Sequence, residues 1–374
     1  MTVNYCKKCF LKDDHPGITF NEEGVCQVCS GQFPSNLLEM YKYVLAHYNE
    51  FFSEKRKTGN SYDCMLLLSG GKDSTYMLYN LCENLNLNVL AYTYNHPFES
   101  KQAINNIEKA YTKLNIDHIS FTTVHKHKKL MKYIFTKKID KDNMHYQDER
   151  IPCKVCSSLI IFTAYIFAKN MNIPYVIYCA DPGQMLSCDI RIKKQIEFFY
   201  NAVGEKCANE MFNNELKNIM ETSDEMLPKI VYPYLSPLTY DQKKIIKILK
   251  DEGLYESSPV ETHCSLYPLL NYYSYKNYDC AFYSADYADA VRKNKMSRKT
   301  LIDADKKFKK IIMDIAKNDK ISKEREEEIS SFLSQLISLW YDSESELATK
   351  HMKNNILDMH KIAEMIDWDI ANDK

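Results

Sequence analysis

The chain has 374 residues, which is enough to bury a sizeable core in two or three folding units. Its 49 basic and 50 acidic residues give a net charge of −1. This balance argues against the broad electropositive surface of a protein that binds many nucleic-acid phosphates. No export signal opens the sequence, and no apolar run approaches the roughly 18 residues that a membrane helix needs. We therefore expect a cytoplasmic protein with no membrane partner.

The 13 cysteines favour metal or redox chemistry over disulfides in a chain without an export signal. Two C-x2-C pairs come first, Cys6 with Cys9 and Cys26 with Cys29. Two such pairs complete a closed, tetrahedral site of four thiolates. The stretch between them predicts a hairpin, with a strand and a turn over residues 18–24. This layout predicts a zinc ribbon with a structural Zn²⁺ ion, and an iron–sulfur cluster is the alternative metal group.

The most specific motif lies further along the chain. An apolar run at 64–68 predicts a buried parallel strand, followed by a tight turn and the start of a helix. The motif residues are Ser69, Gly70, Gly71, Lys72, Asp73, Ser74 and Thr75. Two glycines turn backbone N–H groups toward an anion, the helix adds the positive end of its dipole, and Lys72 adds a point charge. The segment predicts a pyrophosphate-binding corner that differs from the G-x-x-x-x-G-K-[ST] loop.

Strands and helices alternate beyond this corner. Strands are predicted at 89–94, 118–122 and 175–179, and helices at 101–114, 126–138 and 157–171. The alternation predicts an α/β fold with a parallel sheet and helices on both faces. Ligands of such sheets bind beyond the carboxyl ends of the strands. We therefore expect Thr93 to contact the nucleotide and Asp181 to hold Mg²⁺, with a plain loop role as the alternative for each.

A third C-x2-C pair, Cys153 and Cys156, stands just before the helix predicted to start at residue 157. Thiols at a helix N-terminus are easily deprotonated, which suits metal ligation or nucleophilic sulfur chemistry. The alternative is two ordinary, semi-buried cysteines. Cys264, in a later loop, is a candidate third ligand with which other cysteines compete.

In chain order, we predict three regions. These are a zinc ribbon at 1–34, an α/β domain at 35–305 and a charged helical region at 306–374. A polar insertion at about 189–230 interrupts the α/β domain and helps to cover the active site. The C-terminal region predicts helices at 304–316, 322–341 and 344–366.

The motif from Ser69 to Ser74 resembles the PP-loop of the ATP pyrophosphatases, enzymes that adenylate a substrate oxygen and release pyrophosphate. The four N-terminal cysteines, the residues Tyr62-Asp63-Cys64 and the stretch 289–298 resemble the N-acetyl sugar amidotransferases of that superfamily. This resemblance implies a HUP-like domain that uses ATP and Mg²⁺, with residues 69–75 on the β,γ-pyrophosphate and Lys72 and Asp73 as catalytic groups. It also implies a sugar substrate of surface-glycan or pseudaminic acid biosynthesis. Ammonia from a glutaminase subunit would replace the activated acetamido oxygen.

The pair Cys153 and Cys156 departs from that family. It is similar to the C-x-x-C of tRNA thiolation enzymes, in which that pair and a later cysteine hold a [4Fe-4S] cluster. The implied alternative is a sulfur transferase with a cluster on Cys153, Cys156 and Cys264. The near-neutral charge argues against tRNA as its substrate. A third hypothesis is a non-catalytic zinc-ribbon protein that binds nucleotide to switch shape. The sequence leaves the oligomeric state open, a homodimer included.

Overall fold

A computed structural model describes residues 4–32, 36–53, 60–139, 148–179, 191–235, 241–256, 264–318, 320–340 and 346–373. Its strands are β1 (Cys64–Leu67), β2 (Val89–Asn95), β3 (His118–Thr122), β4 (Tyr175–Ile177) and β5 (Lys229–Val231). Its helices are α1 (Asn36–Phe51), α2 (Lys72–Tyr79), α3 (Lys101–Lys113), α4 (Val124–Thr136), α5 (Ile151–Asn170), α6 (Ile192–Val203), α7 (Glu205–Met211), α8 (Glu215–Glu221), α9 (Gln242–Asp251), α10 (Tyr267–Tyr278), α11 (Ser284–Arg292), α12 (Arg298–Lys317), α13 (Lys323–Trp340), α14 (Glu346–Leu357) and α15 (Met359–Glu364).

The chain forms two compact units, each built from segments that are far apart in sequence. The sheet unit comprises Ser35–His127 and Cys153–Ser258. The ribbon unit comprises Met1–Pro34, Lys128–Pro152 and Pro259–Lys374. The chain-order boundaries expected from composition stay predictions.

The sheet unit contains the five strands, all parallel, in the order β3-β2-β1-β4-β5. β1 lies at the centre, with Leu66 opposite Ala91 of β2 and Ile177 of β4. The chain adds β2 and β3 on one side of β1, and then β4 and β5 on the other. This reversal makes the carboxyl end of β1 a topological switch point, where ligands of α/β sheets bind. The predicted α/β class with a parallel sheet is confirmed.

β1 is buried along its whole length because both faces of the sheet are covered. On one face, Leu66 belongs to a hydrophobic cluster with Met77 of α2 and Leu249 of α9. On the other face, the ring of Tyr92 in β2 lies 5.8 Å from the ring of Phe167 in α5. These contacts hold the loop after β1 on a rigid support.

Helix α5 is apolar on most of its surface. The helical stretch Asp148–Asn170 has the length and hydropathy of a membrane span, with a mean hydropathy of 1.7 in its most apolar window. Half of that window is buried inside the protein, and Phe162, Ala164 and Tyr165 are completely buried. A helix that is apolar on all sides is typical of a protein core as well as of a membrane. By length and hydropathy, this stretch therefore differs from the expectation that no apolar run approaches the size of a membrane helix.

The start of α5 differs from the prediction. The helix begins at Ile151, so Cys153 and Cys156 lie inside its first two turns and not before it. Pro152 explains the difference, because proline fits the first helical turn, where its missing N–H has no partner to lose. Spaced three residues apart on a helix, the two cysteines share one face.

Four further elements differ from the sequence prediction. β4 ends at Ile177, two residues early, and β5 was not predicted because three residues carry too little pattern. The helix predicted at 344–366 is two helices, α14 and α15. In the hairpin at 18–24 the turn is present, but its strand is reduced to a single bridge between Phe20 and Cys26.

The ribbon unit joins the N-terminal cysteine segment to the C-terminal helices. Arg298 is the first residue of α12, whose N-cap is Ser297. Its guanidinium donates hydrogen bonds to the carbonyl oxygens of Cys6 (2.8 Å), Cys9 (3.0 Å) and Tyr5 (3.3 Å). One side chain therefore satisfies three carbonyls of the turn that carries the first C-x2-C pair.

Candidate active site and metal centre

The turn after β1 is the centre of the candidate active site. Gly70 has φ +71°, a conformation that favours glycine. A Cβ atom there would lie 2.2 Å from the carbonyl oxygen of Ala103, at the start of α3. Gly70 is therefore required twice, by its own backbone angle and by the close approach of α3.

Asn106 holds the same turn from α3. Its side chain is fully buried, and its Nδ2 donates to the carbonyl oxygen of Gly70 (3.0 Å) and of Glu256 (3.2 Å). Its Oδ1 accepts from the backbone N–H of Glu256 (3.0 Å). A buried amide with these partners fixes the position of the turn. No sequence signal distinguished Asn106 from other polar residues of an amphipathic helix.

The serines of the motif hydrogen-bond one another. The Ser69 hydroxyl lies 3.1 Å from the Ser74 hydroxyl, which also accepts from the Ser69 N–H (3.2 Å). Tyr234, after β5, donates to the carbonyl oxygen of Asp73 (2.8 Å). The Thr75 hydroxyl is buried and has no hydrogen-bond partner among the described residues. These contacts shape the loop before any ligand arrives.

The start of α2 is suited to an anion. A helix leaves its first N–H groups without intrahelical partners, and its N-cap residue, Gly71, has no side chain to satisfy them. Lys72 and Asp73 are the first two residues of α2, and their side chains lie 3.2 Å apart, both largely buried. The arrangement offers N–H groups, a helix dipole and an ammonium at one corner, which are the groups that bind phosphate.

Two residues predicted to bind nucleotide or Mg²⁺ have different outcomes. Thr93 is buried in β2, where its hydroxyl donates to the Leu68 carbonyl oxygen (2.8 Å) and accepts from Nε2 of His118 (2.9 Å). These bonds support the strand end that precedes the loop, and nucleotide contact by Thr93 stays a prediction. Asp181 lies outside the described residues.

A cluster of histidines and aromatic rings lies beyond the carboxyl end of β2. The His127 ring centroid is 5.4 Å from that of His96, 5.7 Å from Tyr94 and 5.7 Å from Phe98. His127 Nε2 is 3.6 Å from the Cys156 sulfur, and its Nδ1 is buried with no partner among the described residues. This places Cys156 beside an imidazole at the ligand-binding edge of the sheet.

Burial controls the protonation of this cluster. It lowers the pKa of His96 to about 4 and, together with the nearby His96, the pKa of His127 to about 3. Both rings are therefore neutral near pH 7. Burial raises the pKa of Glu99, in the same loop as His96, to about 8. The Oε2 atom of Glu99 is buried without a hydrogen-bond partner among the described residues.

The sequence analysis missed these three residues, although their positions offered a signal. His96 and Glu99 follow the carboxyl end of β2, where ligands of parallel sheets bind. His127 lies in the first turn of α4, after β3. The rule that was applied to Thr93 and Asp181 would have selected them.

The four N-terminal cysteines converge. Their sulfur atoms all lie within 4.8 Å of one another, with Cys9 and Cys26 3.7 Å apart, and none forms a disulfide. The backbone N–H groups of Lys8 (3.4 Å) and Cys26 (3.3 Å) point at the Cys6 sulfur. Such N–H donors stabilise thiolates around a metal ion. The predicted metal-binding group is therefore present.

The three cysteines of the predicted [4Fe-4S] group belong to different units. Cys153 and Cys156 belong to the sheet unit and Cys264 to the ribbon unit. Cys264 lies just before α10 and is half-buried. The three-cysteine cluster stays a prediction.

Comparison with known proteins finds no family model that matches the chain. An uncharacterized protein of Methanocaldococcus jannaschii, MJ1599, is 28% identical over 167 residues. The match covers 43% of this chain and 52% of that protein, so it spans about half the length of the relative.

Three solved structures are similar to this chain. The U34-tRNA thiolase NcsA from Methanococcus maripaludis, with its [4Fe-4S] cluster, has 14% identity and a TM-score of 0.32, over 81% of this chain and 89% of that one. NMN synthetase from Francisella tularensis has 12% identity and a TM-score of 0.30, over 64% of this chain and 94% of that one. NH3-dependent NAD synthetase from Campylobacter jejuni, in complex with nitrate, has 13% identity and a TM-score of 0.29, over 58% of this chain and 98% of that one. Similarity at this level does not bear on activity, and none of these three is an N-acetyl sugar amidotransferase.

Replacing Gly70 by alanine is expected to lower the free energy of unfolding by about 3 kcal/mol or more. The positive φ alone costs an alanine about 1–2 kcal/mol, and the Cβ also overlaps a backbone carbonyl that cannot rotate away. Gly253→Ala is the matched control in the same unit, because Gly253 has φ +59° and its Cβ would meet only the flexible end of Lys113. Urea unfolding measures both variants. An equal loss of unfolding free energy in Gly70→Ala and Gly253→Ala would contradict the close contact between Gly70 and α3.

Glu99→Gln is expected to stabilise the protein at alkaline pH. The pKa of Glu99 is raised in the folded state, so the contribution of Glu99 to wild-type stability is fully present below about pH 4.5 and is lost as the pH rises toward 8. The glutamine variant lacks this loss and should exceed wild type by on the order of 2 kcal/mol at pH 8.5, but not at pH 4.5. Urea unfolding between these values measures the difference, with the exposed Glu108→Gln as the control for removing one charge. A difference that is independent of pH would contradict the burial of a neutral Glu99.

Proposed function

We propose that this protein is an ATP-dependent enzyme of the PP-loop pyrophosphatase type, which adenylates a carbonyl oxygen and releases pyrophosphate. The observation that carries the proposal is the position of Ser69–Thr75 at the switch point of a parallel sheet. The motif is intact there, and Gly70 and Asn106 hold its backbone in place. A motif of this kind is informative when it follows a strand and opens a helix, as it does here.

The chemistry follows from the charges at this corner. Residues 69–75 would bind the β,γ-pyrophosphate of ATP through the N–H groups at the start of α2 and the Lys72 ammonium, with Mg²⁺ supplying further neutralising charge. The substrate carbonyl oxygen attacks the α-phosphorus, and the bond from that phosphorus to the bridging oxygen breaks. Pyrophosphate leaves with the electron pair of that bond, and the substrate becomes an adenylate. Stabilisation of the leaving pyrophosphate is the main contribution of the protein.

For the second half of the reaction we propose nitrogen as the nucleophile. The support is the likeness of the N-terminal cysteines and the loop to the N-acetyl sugar amidotransferases. Ammonia, delivered by a glutaminase subunit, would attack the activated acetamido carbon of a sugar, and AMP would leave. The product is an acetamidino sugar for surface-glycan biosynthesis, and the cytoplasm is the expected location.

Sulfur is the second candidate, and one contact favours it. The Cys156 sulfur lies 3.6 Å from Nε2 of His127. Burial lowers the pKa of His127, so the ring is neutral and can accept a hydrogen bond from the Cys156 thiol, although it is too weak a base to remove the proton from that thiol. In this alternative, sulfide from an external donor would attack the activated carbon of the adenylate, AMP would leave, and Cys156 would help to hold the donor. Because helix α5 places Cys153 on the same face as Cys156, both thiols are available to the same chemistry.

Zn²⁺ is the proposed occupant of the four-cysteine group. A tetrahedral Zn²⁺ ion with bonds of about 2.3 Å separates its sulfur ligands by roughly 3.8 Å. The 3.7 Å between the Cys9 and Cys26 sulfurs agrees with that spacing, and the group as a whole lies within 4.8 Å. A four-iron cluster is larger and would hold its thiolates further apart. With four protein ligands the ion has no open position, so its role is structural.

Lys72→Ala is expected to reduce pyrophosphate release at least about 100-fold, because removing one charge-stabilising group from such a site costs roughly 3 kcal/mol of activation free energy. The assay measures pyrophosphate with ATP, Mg²⁺, ammonium chloride and a panel of nucleotide-linked acetamido sugars. Lys250→Ala, on an exposed turn of α9, is the control and should retain full activity. Full activity in Lys72→Ala would refute the catalytic assignment of the loop.

Cys156→Ser and Cys153→Ser distinguish the two nucleophiles. If nitrogen is the nucleophile, both variants keep ammonia-dependent product formation within about threefold of wild type. Protein purified without air then contains no iron or sulfide. If sulfur is the nucleophile, Cys156→Ser abolishes product formation with a sulfide donor while adenylation persists. Iron and sulfide analysis with product mass spectrometry gives the answer, and a sulfur-containing product would overturn the amidotransferase proposal.

A further inference from the structure

The ribbon unit contains a second group of metal-ligating side chains, which shares no residue with the four-cysteine site. A ring nitrogen of His15, a carboxylate oxygen of Glu149 and the sulfur of Cys280 all lie within 4.8 Å of one another. His15 Nε2 is 3.7 Å from Glu149 Oε1, and both side chains are completely shielded from solvent. Cys280 is also buried.

The carboxylate of Glu149 is incompletely satisfied. Its Oε1 lies 3.4 Å from the Ser284 hydroxyl, whereas its Oε2 is buried with no hydrogen-bond partner among the described residues. An unpartnered buried carboxylate oxygen is costly. Two basic residues lie near these side chains in the sequence, and each forms an ion pair with another carboxylate: Arg150 with Asp286 and Lys12 with Asp279.

His15 has the tautomer that a metal ligand requires. Its Nδ1 lies 3.2 Å from the carbonyl oxygen of Pro16, an acceptor, so Nδ1 carries the proton. Nε2 then carries the lone pair, which accepts a hydrogen bond from the Ser284 hydroxyl (2.8 Å) and would bind the ion in its place. A backbone carbonyl bound to the far nitrogen is the usual support for a histidine that binds metal.

A serine–histidine–carboxylate catalytic triad is excluded by the same geometry. The Ser284 hydroxyl does lie 2.8 Å from His15 Nε2. However, Glu149 approaches that same nitrogen, whereas in a triad the carboxylate binds the opposite nitrogen of the ring. The serine is also buried, so no substrate carbonyl reaches it.

We propose that His15, Glu149 and Cys280 form a second, structural Zn²⁺ site. A nitrogen, an oxygen and a sulfur donor together match the ligands of Zn²⁺, which binds each at about 2.0 to 2.3 Å. The ion would occupy the space that the three atoms surround and give the second carboxylate oxygen a partner. The Ser284 hydroxyl, 2.8 Å from His15 Nε2, is the neighbouring fourth donor atom.

The site would link the three separate segments of the ribbon unit. His15 comes from Met1–Pro34, Glu149 from Lys128–Pro152 and Cys280 from Pro259–Lys374. One ion bound to all three closes two long loops of chain. Such a link stabilises a unit mainly by restricting its unfolded state.

The test compares zinc content per chain after equilibration with excess Zn²⁺ and removal of loosely bound metal by gel filtration. Glu149→Gln and Cys280→Ser are each expected to bind one zinc ion fewer than wild type. The exposed Cys207→Ser is the matched control and should bind as many as wild type. Zinc content equal to wild type in Glu149→Gln and Cys280→Ser would overturn the proposal.

Cobalt substitution of the wild-type protein separates this site from the four-cysteine group without relying on variants that fold. A second Co²⁺ ion with one thiolate adds absorbance distinct from that of a four-thiolate ion. A titration that ends at a single ion with a four-thiolate spectrum would also overturn the proposal. A Cys29→Ser variant that loses one ion but keeps the second would support it, even if the proposed enzymatic activity proves wrong.

Discussion

The close contact between Gly70 and the carbonyl of Ala103 is the constraint on which the candidate active site depends. A residue with a Cβ atom cannot occupy this position, because helix α3 begins where that atom would be. Asn106, one turn further along α3, completes the contact by binding the Gly70 carbonyl. Packing against helix α3 therefore gives the loop its shape, and no bound ligand is needed for it. Preorganised N–H groups of this kind stabilise developing charge without reorganising during the reaction.

The parts of the site that were predictable have a contiguous signal in the sequence. The strand–turn–helix of residues 64–75 shows its apolar run, its glycines and its polar helix start within one window. The paired cysteines are similarly local, and their convergence in the ribbon unit agrees with their spacing. Asn106 could not be predicted, since its function depends on Gly70 and Glu256, which are distant in sequence. β5 has three residues, which are too few for a clear pattern, and Cys153 lies inside α5 because Pro152 fits the first turn of that helix.

The two halves of the proposed reaction rest on different kinds of structure. The first half uses a loop held by backbone geometry, and its groups are charged or dipolar. The second half concerns the apolar surroundings of His127, where burial keeps the imidazoles neutral and raises the pKa of Glu99. In the proposed reaction the rings around His127 would shield the adenylate from bulk water, while Nδ1 of His127 and Oε2 of Glu99 are polar atoms at this edge that have no hydrogen-bond partner among the described residues. Both nitrogen and sulfur chemistry require that protection.

The hydrogen bonds from Arg298 to the carbonyls of Tyr5, Cys6 and Cys9 affect the order in which the parts of the ribbon unit fold during synthesis. The residues that these bonds join are about 290 positions apart, so the first cysteine turn leaves the ribosome long before its partner exists. During that interval the four cysteines must remain unoxidised without the contact to the guanidinium. A metal ion bound at this stage can hold the nascent turn in shape, because its ligands are all within the first 29 residues. The N-terminal segment can thus be ordered first by an ion and only later by the rest of its own chain.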